Sequence, residues 1–420
     1  MLYKAPLSPE LKLKKVPAAP LDEIAEYLRP FAHHFKRSEG RQSLERHVSG
    51  LLADIDCKNG EQIATAVAGT NSQRLQALLT ELQWDEAAVN AQRVQQLNRA
   101  ATTGGGILIV DDTGTPKQGQ ASVGVARQYS GTLGKVGNCQ VVVSCQYADA
   151  CFSWPVNARL YLHESWTEDA ARCERAQVPE EYRPFATKPE IALTLLDEAD
   201  QWQVPYRAIT ADAAYGRNLP FLRGLEVRHK SYVVEVPSDF GVQLSRRADA
   251  PVEWVDAVLH RLPKRAWQTL YWGQGSEGPL RKKFIRIRCW RASAAGRGVY
   301  GWLIGERPAR GQTGDWQYYF SNLGPVVSLR TMVRMAHARH HIEQFYQEAK
   351  GELGWDDYEG RLWHGFHRHA VVVFLAYSFL VLLRRRQHRR RGRPPQLFSP
   401  VPLVANDSGD PAPGAGEVGR

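Results

Sequence analysis

The stretch Ile107–Asp112, "ILIVDD", decides how this 420-residue chain is read. Four apolar residues follow the glycines of "TTGGG" and end on two carboxylates. A short apolar run bounded by glycine reads as a strand buried on both faces. A second run, Tyr206–Asp212, "YRAITAD", also ends on an acid. Carboxylates are costly to bury unless they are paired or bind a cation. If the two strands are neighbours in one sheet, Asp111, Asp112 and Asp212 lie at one edge. Taken singly, each aspartate reads as a strand-end turn or a helix cap.

Working outward, "NCQVVVSCQYAD" and "ARLYL" read as further strands, "KPEIALTLLDEADQW" as a helix, and "SYVVEVP" as a fifth strand. The order β-β-β-α-β-α-β describes an α/β fold, a mixed sheet with helices packed on it. Residues 1–98 read as a helical, DNA-binding region, with Asp85 capping its last helix. Within it "NGEQIATAVAGTNSQRLQALLTEL" has the pattern of a helix-turn-helix and equally that of a plain bundle. Residues 99–238 form the first part of the α/β core. Residues 239–325, rich in Trp, read as a β-rich insertion, and 326–386 return to the core as two helices. Residues 387–420 read as a basic, disordered tail.

Six scattered cysteines with no CxxC pair suit a reducing compartment. The longest apolar run, Ala370–Leu383, has 14 residues, too few to span a bilayer, and reads as a buried helix. A cytoplasmic protein with no membrane partner is expected. Net charge is +10, and seven arginines between Arg384 and Arg393 carry most of it. A basic, Trp-rich chain of this kind points to nucleic acid.

The helix expected to begin after Ser328 carries Arg339, Glu343 and Lys350 at offsets of four and seven, which places them on one face. Alone, that row describes a solvated ion pair. Beside the strand-end acids it describes a third carboxylate flanked by cations. Three carboxylates are the hard oxygen set that holds Mg²⁺ or Mn²⁺.

The segments "LIVDDTGTPKQG", "ITADAAYG" and "RHHIEQFYQEAKGELG" together resemble the three acidic motifs of bacterial insertion-sequence DDE transposases. The likeness is to the Tn-five-like cut-and-paste group, and within it to the subgroup with a "DDTG" first motif. It covers about residues 20 to 383 and implies a ribonuclease-H-like core interrupted by a β-rich insertion. It implies Asp112, Asp212 and Glu343 as catalytic, metal-holding acids. Asp112 is taken over Asp111 because the acid directly precedes the Thr. It also implies Arg339 and Lys350 as phosphate contacts, with Ala336 standing where the motif has Tyr. The reaction implied uses two Mg²⁺ to cut double-stranded DNA at terminal inverted repeats and join 3′-OH ends to target DNA. A homodimer in a synaptic complex and a nucleoid-associated place are implied too. Arg361, in "RLWHGFHRH", is a further candidate DNA contact, in a stretch that reads equally as helix packing. So are Arg391 and Arg393 of "RRRGRPP", which has an AT-hook-like core or is a plain polycation. The rival readings are a ribonuclease-H-type nuclease without strand transfer and a decayed or domesticated DNA-binding protein.

Overall fold

A computed structural model of the chain describes residues 16 to 390, apart from 17, 18, 102–104, 248, 276, 277, 294, 295 and 310. The expected tail contacts Arg391 and Arg393 lie outside the described residues.

The chain begins with helices α1 (Asp22–Leu28), α2 (Ser38–Leu51), α3 (Gly60–Ala66), α4 (Ser72–Thr80) and α5 (Glu86–Asn98). Short polar residues start three of them. Asn59 accepts from the amides of Glu61 and Gln62, Asn71 from Arg74, and Asp85 from Ala88. Helices α2, α3 and α4 pack on one another, so the helix-turn-helix segment is present as part of a bundle.

Strands β1 (Gly106–Pro116), β2 (Ala126–Ser130), β3 (Lys135–Ala148) and β4 (Ser153–Tyr161) follow. Helices α6 (Glu164–Thr167), α7 (Ala170–Arg175) and α8 (Lys188–Gln201) lead to β5 (Tyr206–Ala211). Strand β3 pairs antiparallel with β1 on one side and with β2 and β4 on the other. Strand β5 lies parallel to β1, with Leu108 opposite Ile209 and Val110 opposite Ala211. After α9 (Ala213–Arg217) and α10 (Leu219–Val227), a parallel bridge between Ile209 and Tyr232 brings in β6 (Val233–Val236) as the fifth position. This order and these directions are those of a ribonuclease-H-like core. The expected strand sequence is present, with β2 as an addition.

The β-rich segment contains β7 (Gly241–Gln243), β8 (Glu253–Trp254), α11 (Val255–His260), β9 (Gln268–Gly275), β10 (Gly278–Ser293), β11 (Gly296–Arg307) and β12 (Gln317–Ser321). Its sheet runs β6-β12-β11-β10-β7-β8, with β9 also on β10. Strand β6 therefore joins both sheets, and the second sheet is fixed to the edge of the first.

The chain closes with α12 (Leu329–His337), α13 (His340–Leu353) and α14 (Trp363–Arg390). One helix was expected where α12 and α13 stand. Ser328 does cap the start, at Thr331. At the join, however, the bonds tighten to the i−3 carbonyl: Ala338 to Met335, Arg339 to Ala336, His341 to Ala338 and Ile342 to Arg339. Gly354, at φ 65°, ends α13 in the left-handed conformation that favours glycine. The apolar run Ala370–Leu383 lies within α14, which packs on α2, α4, α5, α13 and β4. The helix has the length and composition of a membrane span, but 78% of its apolar window is buried inside the protein.

Candidate active site

Parallel pairing of β1 with β5 ends at Val110 and Ala211, so the next residues, Asp111 and Asp212, sit side by side at the strand ends. The sequence after Asp212 holds this end in place. Asp212 caps α9, accepting from the amides of Ala214 and Tyr215 at 3.0 and 3.2 Å. Gly216 lets that helix lie against β6. A methyl group there would sit 1.8 Å from the Glu235 carbonyl oxygen.

Strand alternation separates the two acids of "DD". Asp111 and Thr113 face α13: Arg339 lies 3.5 Å from Asp111 Oδ2, and Lys350 Nζ donates to Thr113 Oγ1 at 2.8 Å. Asp112 faces the other way, toward α8, where Lys188 Nζ lies 2.7 Å from its Oδ2. The Tyr215 hydroxyl reaches Asp112 Oδ1 at 3.5 Å. The acid that shares a face with Glu343 is thus Asp111. Asp112, the acid expected from the motif, lies on the opposite face because side chains alternate along the strand.

Glu343, 53% exposed, pairs with Arg339 Nη2 at 2.7 Å. Arg339 bridges Asp111 and Glu343 and is the cation of the cluster. Burial pushes the Asp111 carboxyl up to about 8, with the charge of Asp212 adding to it and Arg339 opposing. Burial raises Asp212 as well, against the amide bond from Tyr215 and the charge of Arg339. Glu235, on β6, is raised by burial in the same neighbourhood. Glu235, Gln317, Tyr319, His337 and His340 line a small cavity with Arg339 and Glu343.

Lys350 donates to Thr113 Oγ1 and to the Gly114 carbonyl at 2.9 Å, tying α13 to β1. Burial lowers its pKa. The turn is periodic: seven residues after Glu343 is two full turns, which carries the side chain over β1 rather than past its end. Arg361 is exposed between α13 and α14. Glu352 is exposed, whereas Glu348 accepts from the Tyr377 hydroxyl at 2.8 Å.

Sequence reasoning missed Lys188, Tyr215, Glu235 and the bond between Tyr346 and Ser144, 2.7 Å long, that seats α13 on β3. Only Tyr215 had a local signal, three residues after the capping Asp212. The rest are contacts between segments far apart in sequence.

Among the described residues, no three His, Cys, Asp or Glu side chains are gathered closely enough to ligate one ion. The donor set nevertheless fits a divalent cation. Two carboxylates are held together and raised by burial and mutual repulsion, a third hangs from a helix beside them, and one guanidinium balances them. A cation of higher charge is what such a cluster favours.

The chain matches the family model described as DDE superfamily endonuclease over residues 30–279, more than half its length. It matches the transposase DDE domain model over residues 187–379. It is 26% identical, over 83% of its length and 84% of the relative's, to a protein of Microchaete diplosiphon described as "Probable transposase for insertion sequence element IS701". The chain belongs to the DDE superfamily of endonucleases, as a DDE-type transposase.

Proposed function

We propose that this transposase binds the terminal inverted repeats of an insertion sequence, cleaves DNA at them, and joins the freed 3′-OH ends to target DNA by cut and paste. The observation that carries the reading is the side-by-side register of Asp111 and Asp212, with Glu343 linked to them through Arg339. Asp111, Asp212 and Glu343 would hold two Mg²⁺ or Mn²⁺, which when bound supply the Lewis acidity that activates water or a 3′-OH and stabilises the leaving oxygen. Before DNA arrives, Arg339 neutralises Asp111 and Glu343. When DNA enters, its guanidinium turns to a backbone phosphate, with the bidentate geometry that suits arginine. Lys188 and Tyr215 hold Asp112 on the opposite face, out of the reacting line but buttressing the strand end. Two element ends must be cut together, so the working form is a synaptic homodimer on chromosomal DNA in the cytoplasm.

The test is cleavage and joining of labelled element ends by purified protein with Mg²⁺. Asp111→Ala, Asp212→Ala and Glu343→Ala should each abolish cleavage while DNA is still bound. Asp112→Ala should keep cleavage within about tenfold of the parent. A dead Asp112→Ala beside an active Asp111→Ala would move the first acid back to the neighbour. Cleavage without joining would leave a nuclease.

A further inference from the structure

The face of the insertion sheet away from the acids carries a second feature. Residues 264–307 hold ten Lys and Arg and two Glu, a net +8. With seven further arginines at the C-terminal end, the rest of the chain is net acidic. From this segment Lys264, Lys283 and Arg307 line an open groove of about 590 Å³, together with Pro308, Ala309, Gly314 and Trp316. No carboxylate is among those lining residues. The Arg307 guanidinium lies over the rings of Trp267 and Trp316, 4.3 and 5.6 Å from their centroids. On its other side Trp316 stacks on His260 at 3.9 Å. The guanidinium is thereby held in one orientation, and its buried Nε has no hydrogen-bond partner. Lys283 is directly opposite Arg307 in the ladder, so both cations rise from one row of the sheet. A fixed guanidinium and two lysines make a receptor for backbone phosphates.

Register places the groove relative to the acids. Glu306 and Gln317 alternate with Arg307 and Trp316 along β11 and toward β12, and Gln317 lines the cavity beside Glu343. Arg307 and Lys283 therefore face the opposite side of the sheet. A phosphate held in the groove therefore lies across the insertion sheet from one beside Glu343. We propose that the groove binds the phosphate backbone of a second duplex, distinct from the one at the acids. This rests on the transposase reading above, since end joining is what requires a second duplex beside the first.

The test uses the full chain with Lys264→Ala/Lys283→Ala. Lys264 is exposed and Lys283 half-buried, and neither has a carboxylate partner within the groove, so an unchanged melting profile is the check on folding. The probe is a 30-base-pair duplex of random sequence. Removing one cation that neutralises a phosphate lowers the salt slope of affinity by about 0.9, so the double variant should fall by about 1.8 and bind roughly tenfold more weakly at physiological salt. Arg307→Gln should weaken binding in the same sense, and Arg307→Lys should recover only part of it. Cutting of already bound element ends should be unchanged, and joining to the random duplex should fall. An unchanged slope and affinity in the double variant overturns the proposal. So does competition by ATP that displaces the duplex from the parent protein at micromolar concentration, which would make the groove a site for small polyphosphates. A parent protein that binds no duplex of any kind would instead overturn the transposase reading itself.

Discussion

Two buried carboxylates in this molecule are treated in opposite ways. Glu306, on β11, is fully buried and fully partnered: Lys282, His337 and the Tyr319 hydroxyl all reach it. Burial pushes its pKa up, yet His337 and Lys282 outweigh that and hold it below the usual value. Asp111, on β1, is 13% exposed, has Asp212 beside it, and has the 3.5 Å contact with Arg339 and one backbone amide, that of Asp112, to set against them. Its pKa is pushed up to about 8. One site has used its side chains to satisfy a charge. The other leaves the charge unsatisfied next to a second one. The difference marks which carboxylate belongs to the framework and which waits for a ligand.

That contrast is sharpest in a paired substitution. Asp111→Asn should lower cleavage roughly 10⁴-fold, since it removes a metal-holding oxygen. The same change should leave stability at pH 8 unchanged or higher by about 1 kcal/mol or more, because a charge disfavoured by burial is gone. Denaturant unfolding measures one effect and end cleavage the other. A less stable Asp111→Asn would break the comparison. Glu306→Gln should do the reverse on stability. It removes the charge and one of the two acceptor oxygens that Lys282, His337 and Tyr319 share, and should cost about 3–5 kcal/mol, as when one partner of a buried ion pair is removed. A stable Glu306→Gln would mean that the two carboxylates differ less than their partners suggest.

Legibility followed the same division. The core could be read because β1 and β5 are short apolar runs that each stop at an acid, and because the parallel neighbour of a buried strand needs a helical crossover such as α8. The motif carrying Glu343 was equally readable, since four-residue spacing on a helix is local. What could not be read was direction. Whether Asp111 or Asp112 faces α13 depends on one residue of strand phase, and a run buried on both faces has no polar alternation to reveal it. Lys350 shows the same limit. Spacing put it in line with Glu343, but only the crossing of α13 over β1 sends it to Thr113 and Gly114. The break at Ala338 left no signal either, as Ala-Arg-His has no Gly or Pro. Glu306 and its partners come from β10, β11, β12 and α12, and no pattern within one segment announces such a cluster.

The two kinds of charge also oppose each other in pH dependence. Burial lowers His47 and His341 to about 3, and His367 and His369 to about 4. Their folded values lie below the unfolded value near 6.5, so below that pH the unfolded chain binds more protons. Stability is then lost as pH falls from 6.5 toward 4, by about 1.4 kcal/mol per pH unit for each histidine. Asp111 has the reverse sign. Its folded value lies above the unfolded one, so its contribution is greatest at low pH and is lost as pH rises through about 8. Asp212 and Glu235, also raised, act in the same sense. Stability should therefore peak near pH 6.5, fall steeply on the acid side and gently on the alkaline side. Unfolding free energies from pH 4.5 to 8.5 measure it. Asp111→Asn should flatten the alkaline slope and steepen the acid one, because the folded carboxyl holds an extra proton all the way from the usual aspartate range to about 8, and a profile unchanged by that substitution would detach Asp111 from the effect.

The smallest effect separates a strut from a DNA contact. Lys350 Nζ spends two donors inside the protein, on Thr113 Oγ1 and the Gly114 carbonyl, one and two residues beyond the acids of β1. Lys350→Met keeps the apolar stem and removes both bonds. The expected cost is about 1–3 kcal/mol, the range for hydrogen bonds from a charged donor whose acceptors are then left without it. If the ammonium keeps both bonds when DNA binds, the salt slope of DNA affinity should stay as it is, whereas a true phosphate contact would lower it by about 0.9. Arg339→Ala supplies the contrast on the same helix, since its guanidinium is the one proposed to meet DNA, and there the slope should fall. If Lys350→Met lowers the slope and leaves stability alone, the lysine leaves β1 when DNA binds, and α13 presents both cations to the backbone after all. If stability falls with the slope intact, α13 is pinned to β1 by Lys350 so that Glu343 stays level with Asp111, and the row Arg339–Glu343–Lys350 divides its work between the ligand and the fold.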